Sequence, residues 1–225
     1  MLRCVWFTLA IAFALPTLAA DDGFVSMFNG RDLTGWEGLP GWWYVEDGAI
    51  TSQSTVEKPC RECNYLMWRG GKPGNFELRA KYKIVGGNSG IQFRSRELPK
   101  FDTYGYQADL EAGKQWTGCL FEHARGGVAM RGEKVVIDED GTRHVTSIGD
   151  PAELLKAIKA DDWNEYRVIA RGPEITLEIN GVVMAQAVDR QKDKAARDGV
   201  IALQVHPGPP MKIQFKDLRI KLLKD

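Results

Sequence analysis

Along most of the chain, apolar and polar residues trade places at every second position, the spacing of a strand with one buried and one solvated face. The clearest run is NFELRAKYKIV (75–85), where Phe76, Leu78, Ala80, Tyr82 and Ile84 alternate with Glu77, Arg79, Lys81 and Lys83. The alternation recurs in SGIQFRSR (89–96) and GYQADLE (105–111), and further strands are expected at 49–54, 165–172, 174–188, 200–206 and 211–223. Inside 174–188, Asn180-Gly181 marks a two-residue hairpin turn, because both residues accept the positive φ that a type I′ turn requires. A helical period occurs once, in DPAELLKAIKADDW (150–163), with Asp150 as cap, Pro151 at the first helical position and Leu154, Leu155 and Ile158 on one face. Short, regularly spaced strands with one short helix and no repeat or linker predict an antiparallel β-sandwich over residues 22–225.

The N-terminus breaks this pattern. Arg3 is followed by an apolar run from Cys4 to Leu15, then Pro16 and small residues up to Ala20. This is the layout of an export signal over residues 1–20, and the run is too short for a membrane span, which needs ~20 residues. A periplasmic or extracellular location follows as an expectation. Thirty basic and thirty acidic residues cancel, so no global field draws in nucleic acid. Past the signal, Cys60 and Cys63 form a Cys-x-x-Cys pair without a second pair or a nearby histidine to complete a zinc site. A local disulfide or two free thiols is expected there, and a buried thiol at Cys119.

Candidate chemistry concentrates in YGYQADLEAGKQWTGCLFEHARGG (104–127). Strand residues two apart share a face, so Gln107, Asp109 and Glu111 form one polar row, Gln92 and Arg94 a second, and Gln204 and His206 a third. Plain outer faces carry Lys, Arg and Glu, as in 75–85; these rows carry shorter amides, an acid and an imidazole, which suit a shaped pocket. Glu122, His123 and Arg125 form a titratable cluster in which the carboxylate is placed to fix the imidazole tautomer, or else an exposed ion pair. Of the tryptophans, Trp116 in the polar loop GKQWTG is the candidate to stack on a ligand, and the others are expected to pack. There is no phosphate loop or dinucleotide fingerprint, hence no evident cofactor. A divalent ion near Asp109 and His206 could hold a carbonyl oxygen, but no ligand spacing demands one.

The segments MFNGRDLTGW (27–36), WYVEDGAI (43–50), NSGIQFRS (88–95), GYQADL (105–110), WNEYRVIARGPEITLEINGV (163–182) and GVIALQVHPGPPMKIQFKDLRIK (199–221), in this order, resemble the 3-keto-disaccharide hydrolase domain family. The resemblance implies a concanavalin A-like jelly roll of two curved antiparallel sheets, with a carbohydrate substrate on the concave face. It also implies cleavage of glycosides oxidised at C3: the ketone acidifies the C2 proton, a base removes it, the C1 oxygen leaves, and water adds back. Carried onto this chain, the resemblance gives Asp109 or His206 as the base. Arg94 with Gln107 or Gln204 serves the enolate oxygen, and Glu122 with His123 assists the leaving group. Gln92, Arg125 and Trp116 complete the substrate site. Where many relatives read Glu-x-Gln, this chain reads Gln107-x-Asp109. A lectin-like binding module of the same fold is the alternative, whereas a retaining glucanase would need Glu-x-Asp-x-x-Glu, which Gln107-x-Asp109-x-Glu111 does not supply.

Overall fold

A computed structural model describes residues 22–224. The export signal expected at 1–20 lies outside them. In chain order the strands are β1 Val25–Ser26, β2 Trp36–Gly38, β3 Trp43–Glu46, β4 Ala49–Ser54, β5 Asn64–Trp68, β6 Phe76–Val85, β7 Asn88–Leu98, β8 Asp102–Glu111 and β9 Leu120–Glu122. They continue with β10 Gly126–Ala129, β11 Glu133–Ile137, β12 Arg143–Ser147, β13 Asn164–Arg171, β14 Glu174–Ile179, β15 Val182–Asp189, β16 Val200–Val205 and β17 Met211–Leu222. The one α-helix among the described residues is α1, Pro151–Leu155.

Two sheets form a sandwich. The ten-stranded sheet runs β12-β11-β15-β14-β13-β6-β17-β4-β3, with β1 on β17, and the seven-stranded sheet runs β10-β9-β8-β7-β16-β5-β2. All pairings are antiparallel except β11 with β15. The alternation read from the sequence sets which face is inside. Phe76, Leu78, Ala80 and Tyr82 of β6 and Val168 and Ala170 of β13 meet Ile91, Phe93, Tyr106, Ala108 and Leu203 across the interior, all essentially inaccessible to water. Phe93 stacks on Tyr106 at 5.7 Å and meets Phe76 edge-on at 6.0 Å, so aromatic contacts knit the two layers. Asn180 and Gly181, at φ 52° and 79°, make the predicted turn between β14 and β15.

Three local readings change. The helix expected across 150–163 closes after Leu155. Asp150 caps it, bonding the amides of Ala152 and Glu153, but Ala157 and Ile158 then bond three residues back rather than four. Asn164 captures both the N–H and the carbonyl of Lys159 at 2.8 Å, which turns the chain into β13. A strand at 64–68 is not expected from the alternation, because Tyr65, Leu66 and Met67 are all buried and give no period of two. The cysteines among the described residues, Cys60, Cys63 and Cys119, are free thiols: Cys60 joins the core while Cys63 is half-buried and faces away from it.

The third change concerns β7. After Phe93 its pairing with β8 shifts, and Arg94 and Ser95 together oppose the single Gly105. This is a β-bulge, with Arg94 in the left-handed region at φ 46°. A Cβ on Gly105 would lie 2.5 Å from Ser95 Oγ, so only glycine fits opposite the bulge.

Candidate functional site

The outward face of the seven-stranded sheet carries the densest polar chemistry. On β8, Gln107 and Asp109 point outward while Tyr106, Ala108 and Leu110 point into the core. Register places Gln92 of β7 on one side of Gln107 and Phe121 of β9 on the other. Gln204 comes from β16, and His206 follows just beyond its end. Gln107, Asp109, Trp116, His123, Gln204 and His206 line one cavity of about 330 Å³.

A directed chain of hydrogen bonds runs beneath it. Ser95 Oγ donates to Gln92 Oε1 at 2.8 Å, Gln92 Nε2 donates to Gln107 Oε1 at 2.5 Å, and Gln107 Nε2 donates to Asp109 Oδ1. Gly90 leaves the space that Gln107 fills, since a Cβ there would collide with the Gln107 side chain. Asp109 is 3% exposed. Burial pushes its carboxyl up to about 7; the bond from Gln107 pulls the other way and the nearby Glu111 adds to the rise. At neutral pH this acid is divided between its protonated and ionised forms, the condition for proton transfer in either direction.

Two imidazoles face the same cavity. His206 Nδ1 lies 2.6 Å from the Pro207 carbonyl oxygen, a contact that requires the proton on Nδ1 and leaves the Nε2 lone pair open. His123 has Nδ1 3.2 Å from the Gly105 amide and 3.0 Å from its carbonyl. Its ring stacks on Tyr104 at 5.5 Å and meets Phe121 edge-on at 5.8 Å. Trp116 in turn meets Phe121 edge-on at 6.1 Å, so one aromatic wall holds both side chains. Gln204 is 3% exposed, and its Nε2 donates to Tyr65 Oη at 3.0 Å and Cys63 Sγ at 3.6 Å. Its Oε1 has no partner: a buried acceptor at the cavity wall, costly unless a donor arrives.

Four expected site residues are placed elsewhere, and each has a physical reason. The bulge sends Arg94 to the same side as Phe93, away from Gln92. Its guanidinium donates to the carbonyls of Gly74 at 2.8 and 2.9 Å and Gly172 at 2.8 Å, pinning the ends of two strands of the opposite sheet. Gln92 is fully buried and spends its amide on Gln107 and Ser95, so it orients the site from below rather than touching its contents. His123 starts the turn beyond β9, whereas Glu122 closes that strand opposite the core residue Tyr106 and faces inward. There it pairs with Arg125 at 2.9 Å, and Arg125 reaches Asp189 at 2.8 Å. Tyr106 Oη donates to the same Asp189, and burial, which would raise the Asp189 carboxyl, is outweighed by Arg125 and Tyr106, which hold it below its ordinary range. Glu122 and Arg125 thus belong to an inter-sheet ion cluster, and the carboxylate does not orient the imidazole of His123. Glu111, the third member of the β8 row, turns instead to the loop and accepts from the Trp116 amide at 2.7 Å.

Sequence reasoning missed Cys63, Asn88 and Phe121 in the cavity wall and Tyr65 behind it. Tyr65 pairs with Gln204 across β5 and β16. The one sequence signal for it was the apolar run NYLMW, which reads equally well as core. Among the described residues, no group of three or more His, Cys, Asp or Glu side chains is placed to hold a metal ion. No helix among them is long and apolar enough to cross a membrane.

Residues 23–221 match the family model of the 3-keto-alpha-glucoside-1,2-lyase-like domain. A 3-keto-disaccharide hydrolase of Bacteroides thetaiotaomicron is 31% identical over an alignment of 96 positions that covers 37% of this chain and 31% of that protein. The match therefore spans about a third of that relative's length. Among solved structures, a candidate glycosyl hydrolase of Parabacteroides distasonis is similar with a TM-score of 0.57 at 21% identity, over 90% of this chain and 94% of that one. The carbohydrate-binding module CBM66 of Bacillus subtilis is similar with a TM-score of 0.55 at 15% identity, over 85% and 98% of the two chains. At these identities the two structures speak for the sandwich fold.

Proposed function

This chain belongs to the 3-keto-alpha-glucoside-1,2-lyase-like domain family, and from that premise we propose that it cleaves 3-keto-glycosides by elimination at C1–C2 followed by hydration. The observation that carries the reading is the pairing, in one cavity, of a buried carboxyl held near neutrality with an imidazole whose tautomer is fixed. The ketone makes the C2 proton acidic, so the reaction needs a base, a donor for the enolate oxygen and an acid for the leaving oxygen. It needs no covalent nucleophile.

His206 Nε2 takes the C2 proton, and the C–H electrons delocalise onto the C3 oxygen. His123, which lines the same cavity, serves that oxygen as donor in the tautomer that carries its proton on Nε2, beside Tyr65 Oη at 3.5 Å, with Nδ1 accepting from the Gly105 amide. The C1–C2 double bond then forms as the C1–O bond breaks, and protonated Asp109 gives its proton to the departing oxygen. Water adds across the double bond in reverse: Asp109 accepts its proton as oxygen joins C1, and His206 returns a proton to C2. The orphaned Gln204 Oε1 accepts from a sugar hydroxyl. Export through residues 1–20 is part of the same proposal, with a carbohydrate as substrate and no nucleic acid.

The direct test incubates the protein with a 3-keto-disaccharide and with its unoxidised parent. Release of 3-keto-glucose from the first alone is expected; no release from a panel of α- and β-linked 3-keto substrates overturns the reading. Binding of such sugars without turnover would instead make the chain a lectin-like module. Roles are separated by leaving group. Asp109→Asn should lose about 10²- to 10⁴-fold in kcat with a sugar leaving group and far less with nitrophenolate, which needs no acid. His206→Gln should lose comparably on both and stop exchange of the C2 hydrogen with deuterated solvent.

A further inference from the structure

Resting on that reading of the chemistry, we propose that the cavity adjoining the acid–base pocket across Cys63 is the seat of the leaving group, and that it fits an uncharged second sugar. The acid–base cavity, about 330 Å³, lies at the small end of the roughly 300–1,000 Å³ typical of ligand sites. The cavity houses one sugar ring against Asp109 and His206 but not a whole disaccharide, so a second ring bonded to C1 extends out of it along the sheet. Cys63 forms part of its wall and also part of the wall of a second cavity, about 620 Å³, so the two are neighbours along the sheet. The order β8-β7-β16-β5 carries Asp109, Gln92, Gln204 and Tyr65 in turn, and the second cavity is walled by the segment that leads into β5, the loop between β2 and β3, and the turn at 99–102.

Its lining specifies a chemistry. Arg61, Glu62, Lys100 and Asp102 supply two cations and two anions, which cancel. A charged leaving group gains nothing from such a set, whereas the hydroxyls of a neutral sugar find both donors and acceptors. Trp42 and Leu39 provide an apolar wall for the C–H faces of a ring. Trp42 is half-buried against the core, and the Lys58 ammonium, 4.5 Å over its ring, holds it in place. The opposite wall is a tight turn in which Lys100 and Phe101 both adopt left-handed backbone, at φ 62° and 57°. Two adjacent non-glycine residues in that region are an unfavourable arrangement that persists only where the surroundings impose it. Phe101 is anchored on the outward cluster of Tyr65, Met67, Val200 and Ala202, so the turn presents Lys100 and Asp102 to the cavity from a fixed base.

The experiment compares kcat/KM for a 3-keto-disaccharide with that for methyl 3-keto-glucoside, in the wild type, in Trp42→Ala and in Arg61→Ala. The wild type should prefer the disaccharide, and each variant should reduce that preference about tenfold. Arg61 is exposed, so its variant folds whatever befalls Trp42→Ala. A preference that both variants leave intact overturns the subsite, while cleavage of neither substrate by the wild type overturns the reading of the chemistry instead. In that event binding decides: calorimetry should find the unoxidised disaccharide bound about tenfold tighter than the monosaccharide in the wild type only, and equal affinities overturn the proposal.

Discussion

Asp109 carries a cost in stability for its place in the site. A carboxyl moved from its ordinary 3.8 to about 7 penalises the folded anion by roughly 4 kcal/mol, at ~1.36 kcal/mol per pH unit. The sign follows from proton uptake. The folded state holds the Asp109 proton more tightly than the unfolded chain, so its stabilising contribution is complete below pH 3.8 and is lost as pH rises to about 7. Asp109→Asn keeps a polar group in place without the charge. Its melting temperature should exceed that of the wild type at pH 8, and the gap should narrow as the pH falls toward 4. A melting series across that range checks this, and a gap that widens on acidification would refute it. The residue that the proposed mechanism uses as its acid is thus one that stability alone would replace.

At the level of elements, the bulge in β7 decides which side chains reach the site. Gly105→Ala would force a methyl against Ser95, so Ser95 or the strand must move. Overpacking of this kind costs about 1–3 kcal/mol, and because Ser95 holds Gln92, which holds Gln107, turnover per folded molecule should fall as well. Denaturant melts with kinetics on the refolded variant separate the two effects. The same bulge marks where the sequence ceases to be legible. Strands such as β6 and β13 were readable because one face is buried and the other is not. The outward row of Gln107 and Asp109 followed from the same period, as did the approach of Gln204 and His206. Arg94 did not, since the alternation counts it with Gln92 and a bulge leaves little trace beyond the glycine opposite it. Glu122 and His123 were read as one cluster because they are adjacent in sequence, although β9 ends between them, with Glu122 on its inward face and His123 in the turn beyond. Tyr65 was hidden by the opposite effect: β5 is covered on both sides and loses its period.

Across the whole molecule, the two sheets are joined by more than apolar packing. Glu122, Arg125, Asp189 and Tyr106 form a charged cluster between the layers, directly behind the face that carries Gln107. Arg125→Met would leave Asp189, which is fully buried, without its countercharge, and should cost about 3–5 kcal/mol in a urea melt. Adding Asp189→Asn should recover part of the loss, since Tyr106 can still bond the amide; a double variant less stable than the single one would refute this account. Asp189 sits below its ordinary range, so its contribution is present above the usual carboxylate pKa and disappears as pH falls through the depressed value, on the acid side of the Asp109 window. The extra residue in β7 has a last consequence for how this domain can vary. It acts as a frameshift in the inward–outward reading of the strand: losing one residue between Phe93 and Arg96 would bring Arg94 to the outer face and restore strict alternation, a change that no substitution there produces. Relatives compared through this strand have to be matched in phase as well as in letter, since a gap misplaced by a single position puts the inner arginine on the outer face.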